Sequence, residues 1–141
     1  MNEYCFAEIE EGATETFSRE VTAQMEDAFR MLCGDENPLH KEDDFAREAG
    51  NGRFKGHVTF GMLTASLYST LAGVYLPGKY SLIHSVEVKF RKPVYAGDML
   101  TVKGRVERKQ EALKLLEVRA EISNQEGQCV SKADMKILVL K

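Results

Sequence analysis

The longest stretch of this chain without a charged side chain runs from Val58 to Gly78, and it limits the possible folds more than any other feature. Its length would suit a helix that crosses a membrane. Pro77 ends it early, and it is too polar for that role, because it also contains Thr59, Thr64, Ser66, Ser69, Thr70 and Gly73. Helical hydroxyl groups can bond carbonyls one turn back, so they tolerate burial. The sequence therefore predicts no membrane span, and instead a helix buried at the centre of a soluble fold.

The residues after this stretch change from a helical to an alternating pattern. Apolar and polar residues alternate in four segments, separated by turns at 93–98, 108–112 and 124–127. Four strands with one polar face each predict an antiparallel sheet with one side on the core and the other in water. The only long apolar element that can cover the core side is the helix over 58–78. The predicted fold class is α+β: one curved antiparallel sheet wrapped around one long central helix.

The first half of the chain predicts a strand and two further helices. Ala13 to Val21 suits a strand, and Thr22 is a good N-cap for the helix that follows. Gly34 ends that helix, whose apolar face would comprise Val21, Met25, Ala28, Phe29 and Leu32. Residues 41–49 suit a short polar helix. With no repeat, low-complexity tract or linker, residues 1–141 are interpreted as a single domain.

Charge and cysteine content exclude several classes of function. The chain has 19 basic and 22 acidic residues, a net charge of −3, and the two signs are interspersed. Without a basic stripe, neither nucleic acid nor an anionic membrane is expected as a partner. The acidic start lacks the pattern of a signal peptide, and Cys5, Cys33 and Cys129 are expected to be free thiols in a reducing cytoplasm. No Cys/His pair stands at ligand spacing, so no metal is expected.

An acid and an imidazole flank an Asn-Pro turn in the loop after the first long helix. Asp35 and His40 lie five positions apart, and Gly61 supplies a backbone N–H near the start of the uncharged stretch. A base, an acid and an oxyanion donor are what chemistry next to a carbonyl requires. Structural alternatives exist for each residue: Asp35 could only bond loop N–H groups, His40 could only cap a helix, and Gly61 could only permit close packing.

Three parts of the sequence, the last made of three short segments, resemble the MaoC-like (R)-specific enoyl-CoA hydratase and dehydratase family, whose members have the hot-dog fold. Residues 34–40, GDENPLH, resemble the hydratase motif of the family. Residues 61–66, GMLTAS, resemble the opening of its central helix, and the following strand and turn are matched by 76–78, 88–90 and 93–98. The likeness covers roughly residues 13 to 140, nearly the whole chain.

The resemblance implies roles for individual residues. Asp35 and His40 match the catalytic pair that holds and activates the water added across a double bond. Gly61 matches the position whose N–H bonds the thioester oxygen, and Ser69 falls, by an ungapped count, where the family places an active-site serine. A serine that only bonds its own helix backbone is the alternative for Ser69. The family usually has histidine where this chain has Phe60, which changes the expected pocket shape and acyl group.

The resemblance also implies the reaction and the assembly. The expected protein is a hydro-lyase that adds or removes water at a 2-enoyl group linked to coenzyme A or acyl carrier protein, without a cofactor. A homodimer or higher homo-oligomer is expected, since free sheet edges need a partner. The alternatives are a hot-dog acyl thioesterase and a non-catalytic acyl-thioester-binding protein. The intact motif argues against both.

Five further residues outside the motif have expected roles. His57 is expected as a polar surface residue at the helix start, and His84 as a structural or interfacial residue in a strand. Arg91, Lys92 and Lys79 are expected to form a solvated rim, with the alternative that they attract the phosphates of coenzyme A or of a carrier-protein arm.

Overall fold

The computed structural model describes all 141 residues as a five-stranded antiparallel sheet with three α-helices. The strands are β1 (Thr14–Glu20), β2 (Ser81–Phe90), β3 (Met99–Gln110), β4 (Leu115–Ser123) and β5 (Cys129–Val139). The helices are α1 (Ala23–Cys33), α2 (Asp43–Ala49) and α3 (Gly61–Thr70). The strand order across the sheet is β1-β3-β4-β5-β2, so β1 and β2 are the two edges. The predicted α+β hot-dog architecture is confirmed.

The alternating residues of the C-terminal strands build the inner face of the sheet. In adjacent strands Val102 pairs with Ile122, and Val118 pairs with Met135; all four are at least 98% buried. Register shifts in β2 and β3 mark bulges, which bend strands and increase their twist. The sheet therefore presents a concave apolar face to the central helix.

The central helix is shorter than the uncharged stretch that predicted it. Helix α3 begins at Gly61, and its end widens into a π-helical turn over Leu71–Tyr75. Residues 58–60 are not helical, because Val58 N–H bonds the carbonyl of Leu39 and Thr59 N–H bonds that of Val94. The prediction of helix from Val58 onward is therefore wrong at its first three residues. None of the helices has the length and hydropathy needed to cross a lipid bilayer.

Close approach of helix and sheet depends on Gly104 in β3. A Cβ atom at this position would lie 2.6 Å from Cδ2 of Leu71, well inside van der Waals contact. Leu71 is fully buried, as is its neighbour Ala72, so the π-helical turn sits directly on the sheet. The hydroxyl of buried Tyr68 is satisfied by Oγ of Ser131, 2.9 Å away in β5.

Helix α1 has the predicted ends but not the predicted buried face. Thr22 Oγ1 accepts a hydrogen bond from Met25 N–H, and Gly34 ends the helix with φ 73°, where glycine is favoured. Leu32, however, is 82% exposed, and the only buried residue within α1 is Glu26, at 3% exposure. The helix is therefore held to the body of the protein partly by polar contacts of Glu26.

Candidate active site

The loop after α1 is shaped by its own side chains. Asp35 Oδ1 accepts a hydrogen bond from Asn37 N–H at 3.0 Å, and Asn37 Oδ1 accepts one from Leu39 N–H at 3.0 Å. A single 3-10 turn, Pro38–His40, follows. These contacts are ordinary Asx-turn chemistry. They engage one carboxylate oxygen of Asp35 and leave Oδ2 available.

His40 is fixed in one tautomer by a backbone carbonyl. Its Nδ1 lies 2.8 Å from the oxygen of Val58. Because a carbonyl can only accept, Nδ1 carries the hydrogen, so in the neutral ring the lone pair lies on Nε2. The ring of Phe60 stacks on the imidazole, with centroids 4.2 Å apart and planes 30° apart. Phe60 therefore forms one wall beside His40.

Nε2 of His40 faces Oδ2 of Asp35 across 3.9 Å. That separation is too long for a direct hydrogen bond, but a water to one side, about 2.8 Å from both atoms, can bridge them. The His40 side chain is 14% exposed and that of Asp35 47%, so water reaches the pair from the carboxylate side. The arrangement can hold one water molecule between two groups that both accept a proton.

Gly61 contributes an unpaired backbone donor beside this pair. It is the first residue of α3, its N–H has no acceptor in the chain, and the N-cap residue Phe60 offers no side-chain bond. The free N–H and the positive end of the helix dipole both favour negative charge there. A Cβ at Gly61 would come 3.2 Å from Cε1 of Phe90, so a side chain at this position would press on that ring.

Two adjoining cavities meet at His40 and Gly61. One, of about 300 Å³, is also lined by Asp35, Phe60 and Phe90. The other, of about 320 Å³, extends past Thr64. A larger hollow of about 470 Å³ lies against the sheet away from these residues, but charged groups such as Arg119 and Asp134, 3.3 Å apart, line it. The two cavities at His40 are therefore the candidate active site.

Two of the remaining predicted residues are placed apart from this site. Ser69 is exposed on α3 and lines neither cavity, so the structure does not bring it together with Asp35, His40 and Gly61. A helical serine that bonds its own backbone does occur, at Ser66, whose Oγ donates to the carbonyl of Leu63 at 2.6 Å. His84 is exposed on the edge strand β2 and also lines neither cavity.

The basic residues divide into two groups. Arg91 and Lys92 line the cavity that contains His40 and Gly61. Lys79 instead pairs with Glu3, with Nζ and Oε1 3.1 Å apart, and lines neither cavity. Only the first two therefore stand where they could meet a ligand that enters the site.

Sequence reasoning missed a polar cluster next to the site. His57, expected on the surface, is bound to two carboxylates: Nδ1 lies 2.6 Å from Oδ1 of Asp43, and Nε2 lies 3.2 Å from Oε2 of Glu26. The hydrogen bond to Asp43 is the main cause of a raised pKa for His57. In return, bonds from the backbone and ring of His57 lower the pKa of Asp43. The partners lie 14 and 31 positions away in sequence, so no local pattern could reveal them.

Comparison with known proteins identifies the family of this chain. A sequence model described as "MaoC like domain" matches residues 6–128. The chain belongs to the MaoC-like family.

Individual relatives agree with this assignment. The chain is 38% identical over 93 residues to the (R)-specific enoyl-CoA hydratase of Aeromonas caviae, covering 66% of this chain and 67% of that protein. It is 35% identical over 98 residues to the 3-hydroxybutyryl-CoA dehydratase of Methylorubrum extorquens, covering 70% of this chain but 60% of that protein. The solved structure of the A. caviae (R)-hydratase superposes with a TM-score of 0.85 at 30% identity, covering 93% of this chain and 97% of that one.

Proposed function

We propose that this protein is an (R)-specific enoyl-thioester hydratase, which in reverse acts as a 3-hydroxyacyl-thioester dehydratase. One observation carries the proposal: His40 Nε2 and Asp35 Oδ2 face each other across 3.9 Å, in a cavity that also holds the unpaired N–H of Gly61. The names of the relatives, a hydratase and a dehydratase, support the same reaction class.

The geometry suggests how hydration proceeds. A water held between Asp35 and His40 gives a proton to the free Nε2 lone pair while its oxygen bonds C3 of the enoyl group. The electrons of the C2=C3 bond move toward the thioester oxygen, where the N–H of Gly61 stabilises the charge. The proton then passes from Nε2 to C2, which restores the neutral imidazole and the thioester. Asp35 Oδ2 orients the water and, as an anion, favours the transient imidazolium.

The direct test follows the conjugated absorbance of the substrate. Purified protein would be incubated with crotonyl-CoA, a longer 2-enoyl-CoA and a 2-enoyl acyl carrier protein. Loss of the conjugated band with formation of an (R)-3-hydroxyacyl product is expected. Release of free thiol without hydration would identify a thioesterase, and binding without turnover would identify an acyl-binding protein. Either result would overturn the hydratase proposal.

Arg91 and Lys92 are proposed to meet the phosphates of the carrier, because they line the same cavity as His40. Replacing both by Gln should raise KM for an enoyl-CoA roughly tenfold at low ionic strength, with a weaker effect at high salt. Turnover of the same acyl group on N-acetylcysteamine, which lacks phosphate, should not change. Lys79→Gln is the matched control, since Lys79 pairs with Glu3 away from the cavity. An equal loss on both substrates would contradict a phosphate contact.

A homodimer formed through β2 is proposed as the assembly. Edge strand β2 leaves Leu82, Val86 and Phe90 exposed at 52%, 38% and 51%, and an uncovered apolar edge is prone to pair. Sedimentation equilibrium at micromolar concentration should give twice the chain mass of 15.9 kDa. A monomer under those conditions would contradict the assignment.

A cytoplasmic location is proposed because all three cysteines are free thiols, and cell fractionation would test it.

A further inference from the structure

A cluster of three titratable side chains joins three separate parts of the fold beside the site. Glu26 comes from α1, Asp43 from α2, and His57 from the segment that leads into α3. Glu26 is 3% exposed, which is unusual for a carboxylate unless it is paired. The ring of His57 lies between the two carboxylates, 2.6 Å from Asp43 and 3.2 Å from Glu26.

The chemistry of the partners fixes the protonation state of His57. Ionised carboxylates only accept hydrogen bonds, so with both partners ionised both ring nitrogens donate, which is the imidazolium form. The charged groups that face the ring are Glu26 on one side and Asp43 on the other, and Arg47 stands behind Asp43. His57 also donates its backbone N–H to Asp43 Oδ1 at 2.9 Å. The segment is thus tied at its first residue by side chain and main chain together.

The segment that begins at His57 carries two elements of the proposed chemistry. The carbonyl of Val58 accepts the Nδ1–H bond that sets the tautomer of His40. Gly61, three residues on, presents the unpaired N–H. Between them, Thr59 donates its hydroxyl to Glu26 Oε1 at 2.6 Å, so Glu26 holds the segment at two points.

We infer that His57 is a positioning residue for the active site. Its imidazolium, held by Glu26 and Asp43, fixes the position of residues 57–61. This keeps the hydrogen of His40 on Nδ1 and keeps the Gly61 N–H directed into the cavity. This inference rests on the proposed hydratase function. His57 itself contacts no reacting atom. Its loss therefore lowers kcat, while KM, set by the cavity walls, changes little.

The charge state of His57 gives the cluster a pH dependence of known sign. Bonding to Asp43 raises the pKa of His57 above its ordinary value of 6.5. A raised pKa means that the charge of His57 contributes its full stability below the unfolded-state pKa of about 6.5, and that this contribution is lost as pH rises through the folded-state pKa. Turnover of the wild type should therefore decline as pH rises through that pKa.

His57→Gln is the principal test. The variant should lose roughly tenfold to a hundredfold in kcat at neutral pH, as expected for misplaced catalytic groups. It should also lack the decline with rising pH that His57 causes in the wild type. Asp43→Asn should also lower kcat. Asp44→Asn is the matched control, because Asp44 adjoins Asp43 but pairs only with Arg47 on the surface.

A spectroscopic measurement separates positioning from simple stabilisation. In ¹H–¹⁵N spectra of the ring nitrogens, His40 should show hydrogen on Nδ1 in the wild type and a mixture of tautomers in H57Q. Wild-type kcat together with an unchanged His40 tautomer in H57Q would overturn the inference. If H57Q does not fold, the same two readouts in Asp43→Asn decide it. If the wild type shows no hydration, the proposed function fails, and the tautomer measurement alone decides whether His57 positions His40.

Discussion

Removing either member of the Asp35/His40 pair is expected to lower kcat for hydration by about a thousandfold, within the 10²–10⁴ range typical of general acid–base groups. His40→Ala removes the Nε2 lone pair that takes the proton. Asp35→Asn keeps the shape of the loop but removes the charge that favours the imidazolium. The measurement is the initial rate of absorbance loss with crotonyl-CoA, with the fold checked by circular dichroism.

The double variant and a neighbouring residue supply the controls. Because the two groups act on one water, Asp35→Asn combined with His40→Ala should be little worse than either change alone. Glu36→Gln should keep wild-type turnover, since Glu36 lies in the same loop but pairs with Lys41 at 2.8 Å. Fully additive losses in the double variant would mean that Asp35 and His40 do not share a step.

Gly61→Pro is expected to lower kcat/KM about a hundredfold relative to Gly61→Ala, a loss of ~3 kcal/mol in transition-state stabilisation. Proline lacks the N–H and is well tolerated at the first position of a helix. The preceding residue, Phe60, already has ψ 125°, which suits a following proline. The helix should therefore form, and the change isolates the oxyanion donor.

Gly61→Ala is the matched control for that experiment. It adds the same Cβ atom, which meets Phe90 at 3.2 Å in both variants, but it keeps the N–H. Equal rates for the Ala and Pro variants would show that no hydrogen bond from Gly61 stabilises the reaction. A lower kcat/KM in Gly61→Ala than in the wild type would instead report the displacement of the Phe90 ring by the added Cβ atom.

Local patterns in the sequence predicted the sheet and the loop that carries the acid and the imidazole. Alternation along β3, β4 and β5 is a property of neighbouring residues, and so are the N-cap at Thr22 and the left-handed glycine at Gly34. The Asx turns that shape the loop between Asp35 and His40 also join residues only two positions apart. Such features are set by interactions within a few positions along the chain.

The errors concern contacts between distant parts of the chain. The amphipathic pattern of α1 predicted that Leu32 would be buried. Glu26 is the buried residue instead, because His57 and Thr59 bind its carboxylate. The start of α3 was placed too early, since the carbonyls of Leu39 and Val94 hold the preceding residues extended. Neither the burial of Glu26 nor the extended conformation before α3 can be recognised from the sequence of the residues concerned.

In the proposed mechanism, the carbonyl of Val58 orients the base and the amide of Gly61 binds the oxyanion, and both groups come from one short segment, which has an evolutionary consequence. Substitutions at residues 57–60 that reshape the pocket alter turnover at the same time, so selection cannot tune the two traits independently there. Drift toward a new acyl preference is less constrained at Phe54 and Val130, which line the cavity outside the segment. A lineage of this chain that changes substrate would be expected to vary first at those two positions.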